Sequence, residues 1–141
     1  MTIEKIQKEI VEEFSFFEDW EQRYEYLIEL GKDLKEMPED EKTDDKLIKG
    51  CQSSVWLDAQ FDGEKINFTV DSNAILPKGI AALLLRIYNH QEPKAIVESN
   101  TDFITEIGLQ EFLSPTRANG LLAMVKQFKF YAIAYQVKAN R

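Results

Sequence analysis

The chain has 141 residues, 44% of them hydrophobic and 11% aromatic, which is enough for one domain with its own core. Seventeen Lys and Arg residues against 25 Asp and Glu residues leave a net charge of −8, which disfavours nucleic acid and anionic membranes as partners. The longest apolar run, residues 79–85, is too short to span a membrane, and charges interrupt the N-terminus where a signal peptide would be apolar. We therefore expect a single domain over residues 1–141, located in the reducing cytoplasm.

Two helices are predicted at the start of the chain. Apolar residues recur at helical spacing from Ile3 to Phe14, which predicts a first helix over residues 2–14. A second helix is predicted over residues 19–30, with Asp19 as its N-cap and Gly31 as a left-handed C-terminal stop. The charged stretch over residues 32–46 that follows is predicted to be a surface loop, longer than most connections.

The apolar pattern then changes to the two-residue period of β-strands. Residues 53–61 and residues 65–70 alternate on either side of an Asp62-Gly63 turn signal, which predicts a β-hairpin. Leu47 and Ile48 are candidates for a short third strand beside it. The segment between that strand and the hairpin contains the only cysteine of the chain, Cys51.

Helices are predicted again after the hairpin. Pro77 suits a first helical turn, so a largely buried helix is expected over residues 78–88, with short helical pieces near residues 93–97 and 103–107. A last helix should begin after the N-cap Ser114. Its predicted apolar stripe consists of Leu121, Leu122, Val125, Phe128, Tyr131, Ala132 and Tyr135. Helices at both ends around a small antiparallel sheet place the fold in the α+β class.

Cys51 is the strongest candidate for chemistry. As the only cysteine it can form no internal disulfide, and a loop thiol beside a strand suits chemistry at sulfur, although free cysteines are also often packed as small hydrophobes. Lys46 and Lys49 precede it closely and are expected to favour the thiolate modestly. A catalytic pair with His90, the only histidine, is the less favoured alternative, because His90 lies at the end of a predicted helix, where a solvated residue is the simpler interpretation.

Other kinds of site have little support in the sequence. One cysteine and one histidine are too few for the usual zinc sites, and no glycine-rich phosphate loop or nucleophile elbow is present. Arg117 is unusual, because a cation in the first turn of a helix is mildly unfavourable. It therefore needs a carboxylate partner, either inside this protein or on another one.

Four segments of the chain resemble the motifs of the SufE family, the partners of SufS-type cysteine desulfurases. These segments are Asp19–Tyr24 with Leu30-Gly31, Gly50–Leu57, Asp71–Ile75 followed by Lys78-Gly79, and Leu113–Arg117 with Gly120-Leu121 and Ala123-Met124. Their order and spacing hold from about Phe14 to Gln127. Ser54 departs from the pattern, since glutamine is more usual at that position. Nothing in the chain separates SufE proper from CsdE-like relatives.

The resemblance implies a function and a fold. The fold is a small three-stranded antiparallel sheet packed with helices from both termini, similar to the IscU scaffold. The function is that of a sulfur acceptor and activator without turnover of its own: Cys51 takes sulfur from a persulfide on the desulfurase and passes it to a SufBCD-like iron–sulfur cluster assembly complex. Pyridoxal phosphate belongs to the desulfurase, and the resemblance implies no cofactor and no metal on this chain.

The resemblance also implies which residues support the thiol. Asp71 and Arg117 belong to the shell around the loop that carries Cys51, and they position that loop or meet the partner. A persulfide needs shelter while the protein is free, so we expect the loop from Lys49 to Gln52 to swing between a sheltered and an extended position, with Gly50 as the hinge. The apolar cover is expected from flanking residues, namely Leu47, Ile48 and Val55.

Three other functions compete with the carrier. An adaptor would stimulate the desulfurase by docking alone, with Cys51 incidental. A scaffold that assembles clusters directly needs several thiol or imidazole ligands, and this chain has one of each, so ligands would have to be shared across a dimer. A redox-sensing thiol is the third, and sensitivity of Cys51 to peroxide would favour it.

Overall fold

The computed structural model describes residues 2–139, apart from the side chains at positions 110, 112 and 139. Helices lie on both sides of one hairpin in the chain, which confirms the α+β class. The elements in chain order are α1 (Ile3–Ser15), α2 (Trp20–Lys32), β1 (Val55–Phe61), β2 (Ile66–Ser72), α3 (Ile75–Tyr88), α4 (Pro93–Glu98), α5 (Asp102–Glu106), α6 (Leu109–Phe112) and α7 (Pro115–Ala139). Two short 3-10 turns, Glu39–Glu41 and Asp44–Lys46, lie in the predicted surface loop.

The sheet of the described residues has two antiparallel strands, so the predicted third strand is wrong. Strand β1 pairs with β2 over its whole length, from Val55 opposite Ser72 to Phe61 opposite Ile66. Leu47 makes only an isolated bridge to Trp56. The chain then turns away at Gly50, whose φ of +94° is incompatible with a continuing strand.

One face of the hairpin lies on the hydrophobic core. The residues that point to this face alternate along both strands and are buried: Val55, Leu57, Ala59, Ile66, Phe68 and Val70. Helix α7 covers part of β1, because the hydroxyl of Tyr131 donates to the Leu57 carbonyl (3.2 Å) and that of Tyr135 donates to the Ala59 carbonyl (3.0 Å). The fold therefore sets α7 beside β1, the strand that follows Cys51 in the chain.

Helix α2 begins as predicted but does not end as predicted. The Asp19 carboxylate caps its first turn by accepting from the Gln22 N–H (2.9 Å). Gly31 is not a left-handed stop: it lies inside the helix, which continues to Lys32, and it faces Gly79 of α3. A Cβ at Gly79 would lie 2.2 Å from the Leu27 carbonyl oxygen, so both glycines serve the close crossing of α2 and α3.

The later helices follow the predicted pattern with shifted bounds. Helix α3 begins at Ile75, ahead of the predicted residue 78, and its buried residues include Leu83, Leu84 and Ile87. Ser114 caps α7 through its hydroxyl, which accepts from the Arg117 N–H (3.3 Å). Helix α6 was not predicted, and Leu122 is exposed rather than part of the buried stripe of α7. Within residues 2–139, no helix is long and apolar enough to cross a membrane.

Candidate functional site

Cys51 lies at the junction of the thiol loop, which we define as residues 48–54, with helix α7. Its side chain is half-buried, and its Sγ lies 3.6 Å from the carbonyl oxygen of Gly120, to which the thiol donates. A Cβ at Gly120 would lie 3.8 Å from that sulfur. The glycine in α7 therefore gives the thiol direct access to the helix backbone.

A cavity of about 500 Å³ opens beside the sulfur. Three helices build it, and its lining is mostly apolar: Tyr24 and Ile28 of α2, Ile75, Leu76, Pro77 and Ile80 of α3, and Gly120 and Met124 of α7. The sequence predicts other residues as the apolar cover of the thiol, and this prediction is wrong. Leu47, Ile48 and Val55 do not line this cavity, because Ile48 and Val55 are buried in the core and Leu47 bridges to Trp56.

Burial controls the charge state of the thiol. The apolar surroundings raise the pKa of Cys51 above its ordinary value, because they disfavour the thiolate. The two lysines that were expected to favour the anion do not line the cavity, and Lys46 instead pairs with Asp58 at 3.4 Å. At neutral pH the free protein therefore holds Cys51 as a neutral thiol, which is a weak nucleophile.

Gly50 and Gln52 flank the cysteine in different settings. Gln52 lines the cavity together with Cys51 and is exposed. Gly50 has a φ of +94°, and a Cβ at this position would lie 3.2 Å from the Cβ of Ala123 in α7. The loop therefore passes close to α7 in a conformation that an L-side chain rarely adopts.

Asp71 lies outside the cavity and holds the chain that precedes the thiol loop. Asp71 is 1% exposed, and its carboxylate accepts from the N–H of Met37 (3.0 Å) and from the N–H of Ser72 (2.8 Å). Lys42 and Lys78 lie 3.6 and 3.3 Å from it. Burial acts to raise the pKa of Asp71, but these hydrogen bonds and Lys78 together hold it below its usual value. Asp71 therefore stays ionised and anchors the surface loop to β2.

Two residues that were not predicted as site residues hold the other end of the thiol loop. The Asn73 side chain accepts from the Ser54 N–H (3.2 Å), and the Asn73 N–H donates to the Ser54 carbonyl (3.3 Å). The Ser72 hydroxyl donates to the same carbonyl (2.8 Å). We call these three bonds the Ser54 clasp. They use only the backbone of Ser54, so they do not depend on which side chain occupies this position of the motif.

Arg117 reaches the cavity from the start of α7, so the structure brings it together with Cys51. Among the described residues it makes no ion pair, and the carboxylate partner that its position requires is not found there. Exposed Trp20 lies beside it, in a groove that also contains Glu111 and Tyr24. Exposed Arg117 therefore lines both the thiol cavity and the adjoining groove, and the exposed indole of Trp20 lies in that groove.

His90 does not meet Cys51. It is exposed at the end of α3, with a φ of +59°, and its Nδ1 contacts the Asn67 side chain. It lines a separate groove between α2 and α3 rather than the thiol cavity. Across residues 2–139, no group of three or more His, Cys, Asp or Glu side chains is placed to hold a metal ion.

Comparisons with known proteins agree on one family. The family model described as SufE, Fe-S metabolism associated domain, matches residues 8–132. A SufE-like protein of Rhizobium meliloti is 38% identical over 126 residues, covering 86% of this chain and 90% of that protein. A SufE-like protein of Synechocystis is 41% identical over 128 residues, covering 91% and 80%.

Two further comparisons extend the likeness. SufE-like protein 1 of Arabidopsis thaliana, named as chloroplastic/mitochondrial, is 37% identical over 134 residues, which cover 94% of this chain but only 36% of that protein. The solution structure of a hypothetical protein from Thermus thermophilus superimposes with a TM-score of 0.77 at 23% identity, covering 94% and 96% of the two chains. The likeness to the Thermus thermophilus structure supports the fold alone.

Proposed function

Since this chain belongs to the SufE family of Fe-S metabolism associated domains, we propose that Cys51 accepts sulfur from a SufS-type cysteine desulfurase and passes it to iron–sulfur cluster assembly. One observation carries the proposal: the only cysteine of the chain borders a mostly apolar cavity whose rim is exposed. Such a site can present a thiol to a partner protein and can shelter the product afterwards.

The proposed step is a thiol exchange. The Cys51 thiolate attacks the terminal sulfur of a persulfide on the desulfurase, so a bond forms between Sγ and that sulfur. The bond between the terminal sulfur and the desulfurase cysteine breaks, and this cysteine leaves as a thiolate. Cys51 loses its proton to solvent before the attack, and the step needs no external oxidant or reductant. Pyridoxal phosphate acts on the desulfurase, so this chain needs no cofactor in the proposal.

The burial of the Cys51 thiol supports the proposal of a carrier that stays unreactive until it docks on its partner. Cys51 in the free protein is half-buried and neutral, so it reacts slowly with small oxidants and electrophiles. Docking has to draw the sulfur out of the cavity and into water or the partner's active site. There the pKa of the Cys51 thiol falls toward its ordinary value. Gly50 is the proposed hinge for this movement, because its backbone tolerates angles that other residues avoid.

Two anchors define which part of the chain can move. Asp71 holds Met37 and Lys42 ahead of the thiol loop, and the Ser54 clasp holds its end. Ile48 is buried, and its N–H donates to the Val55 carbonyl (2.9 Å). The movable segment in the proposal is therefore short, spanning residues 49–53, and it can extend without disturbing the hairpin.

The cavity suits the persulfide as well as the thiol. Its volume of about 500 Å³ leaves room for one more sulfur atom, and its mostly apolar wall keeps that atom away from water and from soluble thiols. In this proposal the loaded protein is cytoplasmic and delivers its sulfur to a SufBCD-like complex. It acts as a carrier and activator without turnover of its own.

The entrance of the cavity also favours an adaptor as the second candidate. Ile75 and Arg117 are exposed there and Trp20 is exposed in the adjoining groove, and tryptophan and arginine are enriched among the residues that dominate binding at protein interfaces. An adaptor would stimulate the desulfurase through this surface alone, and Cys51 would be incidental to its function.

The two candidates differ in the need for sulfur on Cys51. The protein is incubated with a SufS-type desulfurase and free cysteine, and its intact mass is measured with and without reductant. The carrier gains one sulfur atom that reductant removes, and Cys51→Ser gains none and loses most of the stimulation. Undiminished stimulation by Cys51→Ser, with no adduct on the wild-type protein, would establish the adaptor instead.

A further inference from the structure

Helix α7 carries an apolar stripe on the side that faces away from the core. Leu122, Phe130, Ile133 and Val137 recur at helical spacing, and each is between 44% and 61% exposed. Exposed Lys126 lies on the same face, between Leu122 and Phe130, and we call these five residues the α7 stripe. Isolated exposed apolar residues are normal, but a stripe along one helix face indicates an interaction surface.

The charge of α7 is opposite to that of the whole protein. The charged residues of this helix are all cations, Arg117, Lys126, Lys129 and Lys138, whereas the chain carries a net charge of −8. Within the stripe itself Lys126 is the charged residue, so the complementary surface is apolar with a carboxylate opposite Lys126. A second copy fits poorly, because α7 carries no carboxylate that could pair with Lys126 in a twofold contact between two stripes.

The α7 stripe and the thiol cavity lie on opposite sides of the helix. Gly120 and Met124 line the cavity, whereas Leu122 and Lys126 line a different groove. That groove also contains Lys49 and Gly50 of the thiol loop, and Asp44 and Asp45 from the surface loop before it. Phe130 lies ten residues after Gly120, about 15 Å along the helix. A protein bound to the stripe would thus reach the thiol loop and leave the entrance of the cavity uncovered.

This arrangement suits the second partner of a sulfur carrier. The desulfurase has to approach the entrance of the cavity, where it delivers sulfur, so a separate surface is available to the protein that takes the sulfur away. Resting on the function proposed above, we propose that the α7 stripe docks the sulfur-accepting protein of cluster assembly through an apolar surface of that protein that presents a carboxylate to Lys126. Gly50 lies between the two surfaces, where the loop can swing from one to the other.

The test compares two substitutions in the stripe with two matched controls elsewhere. Phe130→Glu and Lys126→Glu remove an exposed aromatic ring and an exposed cation from α7. The controls Phe16→Glu and Lys8→Glu make the same exchanges at exposed positions outside α7. Circular dichroism and thermal unfolding establish that all four variants are folded before transfer is measured.

Each variant is assayed in two separate steps by intact mass. In the first step the desulfurase and cysteine load Cys51, and in the second the isolated persulfide form is mixed with a purified SufBCD-like complex. We expect the stripe variants to load like the wild type and to pass sulfur on about tenfold more slowly, whereas both controls stay near the wild-type rate in each step. Raising the salt concentration should slow the second step for the wild type and less for Lys126→Glu.

The two steps separate the failure of this inference from that of the proposed function. If the desulfurase never loads the wild type, the proposed function fails, and polysulfide then loads Cys51 chemically so that the second step is still measured. The docking inference is overturned if the stripe variants pass sulfur on like their controls, if the loaded wild type passes none, or if the stripe variants lose the first step. A wild-type dimer that Phe130→Glu dissociates would also overturn it, since a second copy would then cover the stripe.

Discussion

At the scale of single residues, the site depends on how the structure restrains one sulfur atom. The Cys51 thiol donates to the Gly120 carbonyl and lies beside a mostly apolar cavity, and these surroundings hold it neutral. The Ser54 clasp and Asp71 fasten the chain on both sides of it. Reactivity is therefore a property of the loop position as much as of the thiol itself.

The pH dependence of alkylation tests the neutral thiol. Because burial raises the pKa of Cys51, the free protein should react slowly with iodoacetamide at neutral pH and faster as the pH rises. The midpoint should lie above that of a cysteine in an unstructured peptide, and unfolding the protein in urea should bring it down to the peptide value. A midpoint in the folded protein at or below the peptide value would contradict a sheltered neutral thiol.

Removing the Asn73 side chain should expose the thiol. Asn73→Ala deletes the acceptor of the Ser54 N–H, at a cost of about 1 kcal/mol in unfolding free energy, and loosens the end of the thiol loop. Alkylation of Cys51 at neutral pH should become several-fold faster. The matched control is Asn89→Ala, because the Asn89 side chain accepts from a backbone N–H of β2, that of Phe68, away from the loop. Equal acceleration by both variants would mean that general loosening, not the clasp, sets the exposure.

Gly50 can be tested against a glycine with the same backbone conformation. Gly50→Ala places a Cβ at a φ of +94° and 3.2 Å from the Ala123 Cβ, which costs about 1 kcal/mol and restricts the hinge. Gly63 in the hairpin turn has a φ of +98° with nothing near its Cβ position, so Gly63→Ala carries the backbone strain alone. Sulfur transfer from the desulfurase should slow for Gly50→Ala and not for Gly63→Ala. Equal transfer rates for the two variants would remove the support for a hinge at Gly50.

At the scale of elements, the crossing of α2 and α3 builds one wall of the cavity. The two helices approach at Gly31 and Gly79, and this approach brings Tyr24 and Ile28 of α2 next to Ile80 of α3. The crossing therefore determines the shape of the cavity even though neither glycine lines it.

A methyl group at the crossing should force the helices apart. In Gly79→Ala the new Cβ would lie 2.2 Å from the Leu27 carbonyl oxygen, which is backbone and cannot rotate away. We expect a loss of about 3 kcal/mol in unfolding free energy, only partly offset by the higher helix propensity of alanine. Urea denaturation measures this change. An unchanged or higher midpoint would show that the crossing has room for the methyl group.

At the scale of the whole molecule, the sequence predicts the features that local patterns determine. It does not predict the features that depend on tertiary contacts. Hydrophobic periodicity and capping residues located α1, α2, the hairpin and α7, because these signals act within a few residues. The role of Gly31 was missed, since a helix stop and a close helix crossing both favour glycine. The spacing of Leu122 fits the edge of the buried face of α7, and only the packed position of the helix shows that this residue is exposed.

The candidate site, like the fold, was predictable in part. Cys51 stands out by its uniqueness, and the family resemblance pointed to Arg117, which the structure places at the cavity. The Ser54 clasp was missed, although Ser72 and Asn73 lie in the segment that the motif includes. Their contact with Ser54 depends on the strand register, which places Val55 opposite Ser72 across the hairpin. The composition of the chain does not reveal this register.

The central claim is that Cys51 carries sulfur, and the intact mass of the protein after reaction with a desulfurase tests it most directly. The protein, Cys51→Ser and Asn73→Ala are each incubated with a SufS-type desulfurase and cysteine, and their masses are measured before and after reductant. The account predicts one added sulfur atom on the wild type and on Asn73→Ala, removed by reductant, and none on Cys51→Ser. An unmodified wild-type protein, or the same adduct on Cys51→Ser, would contradict it.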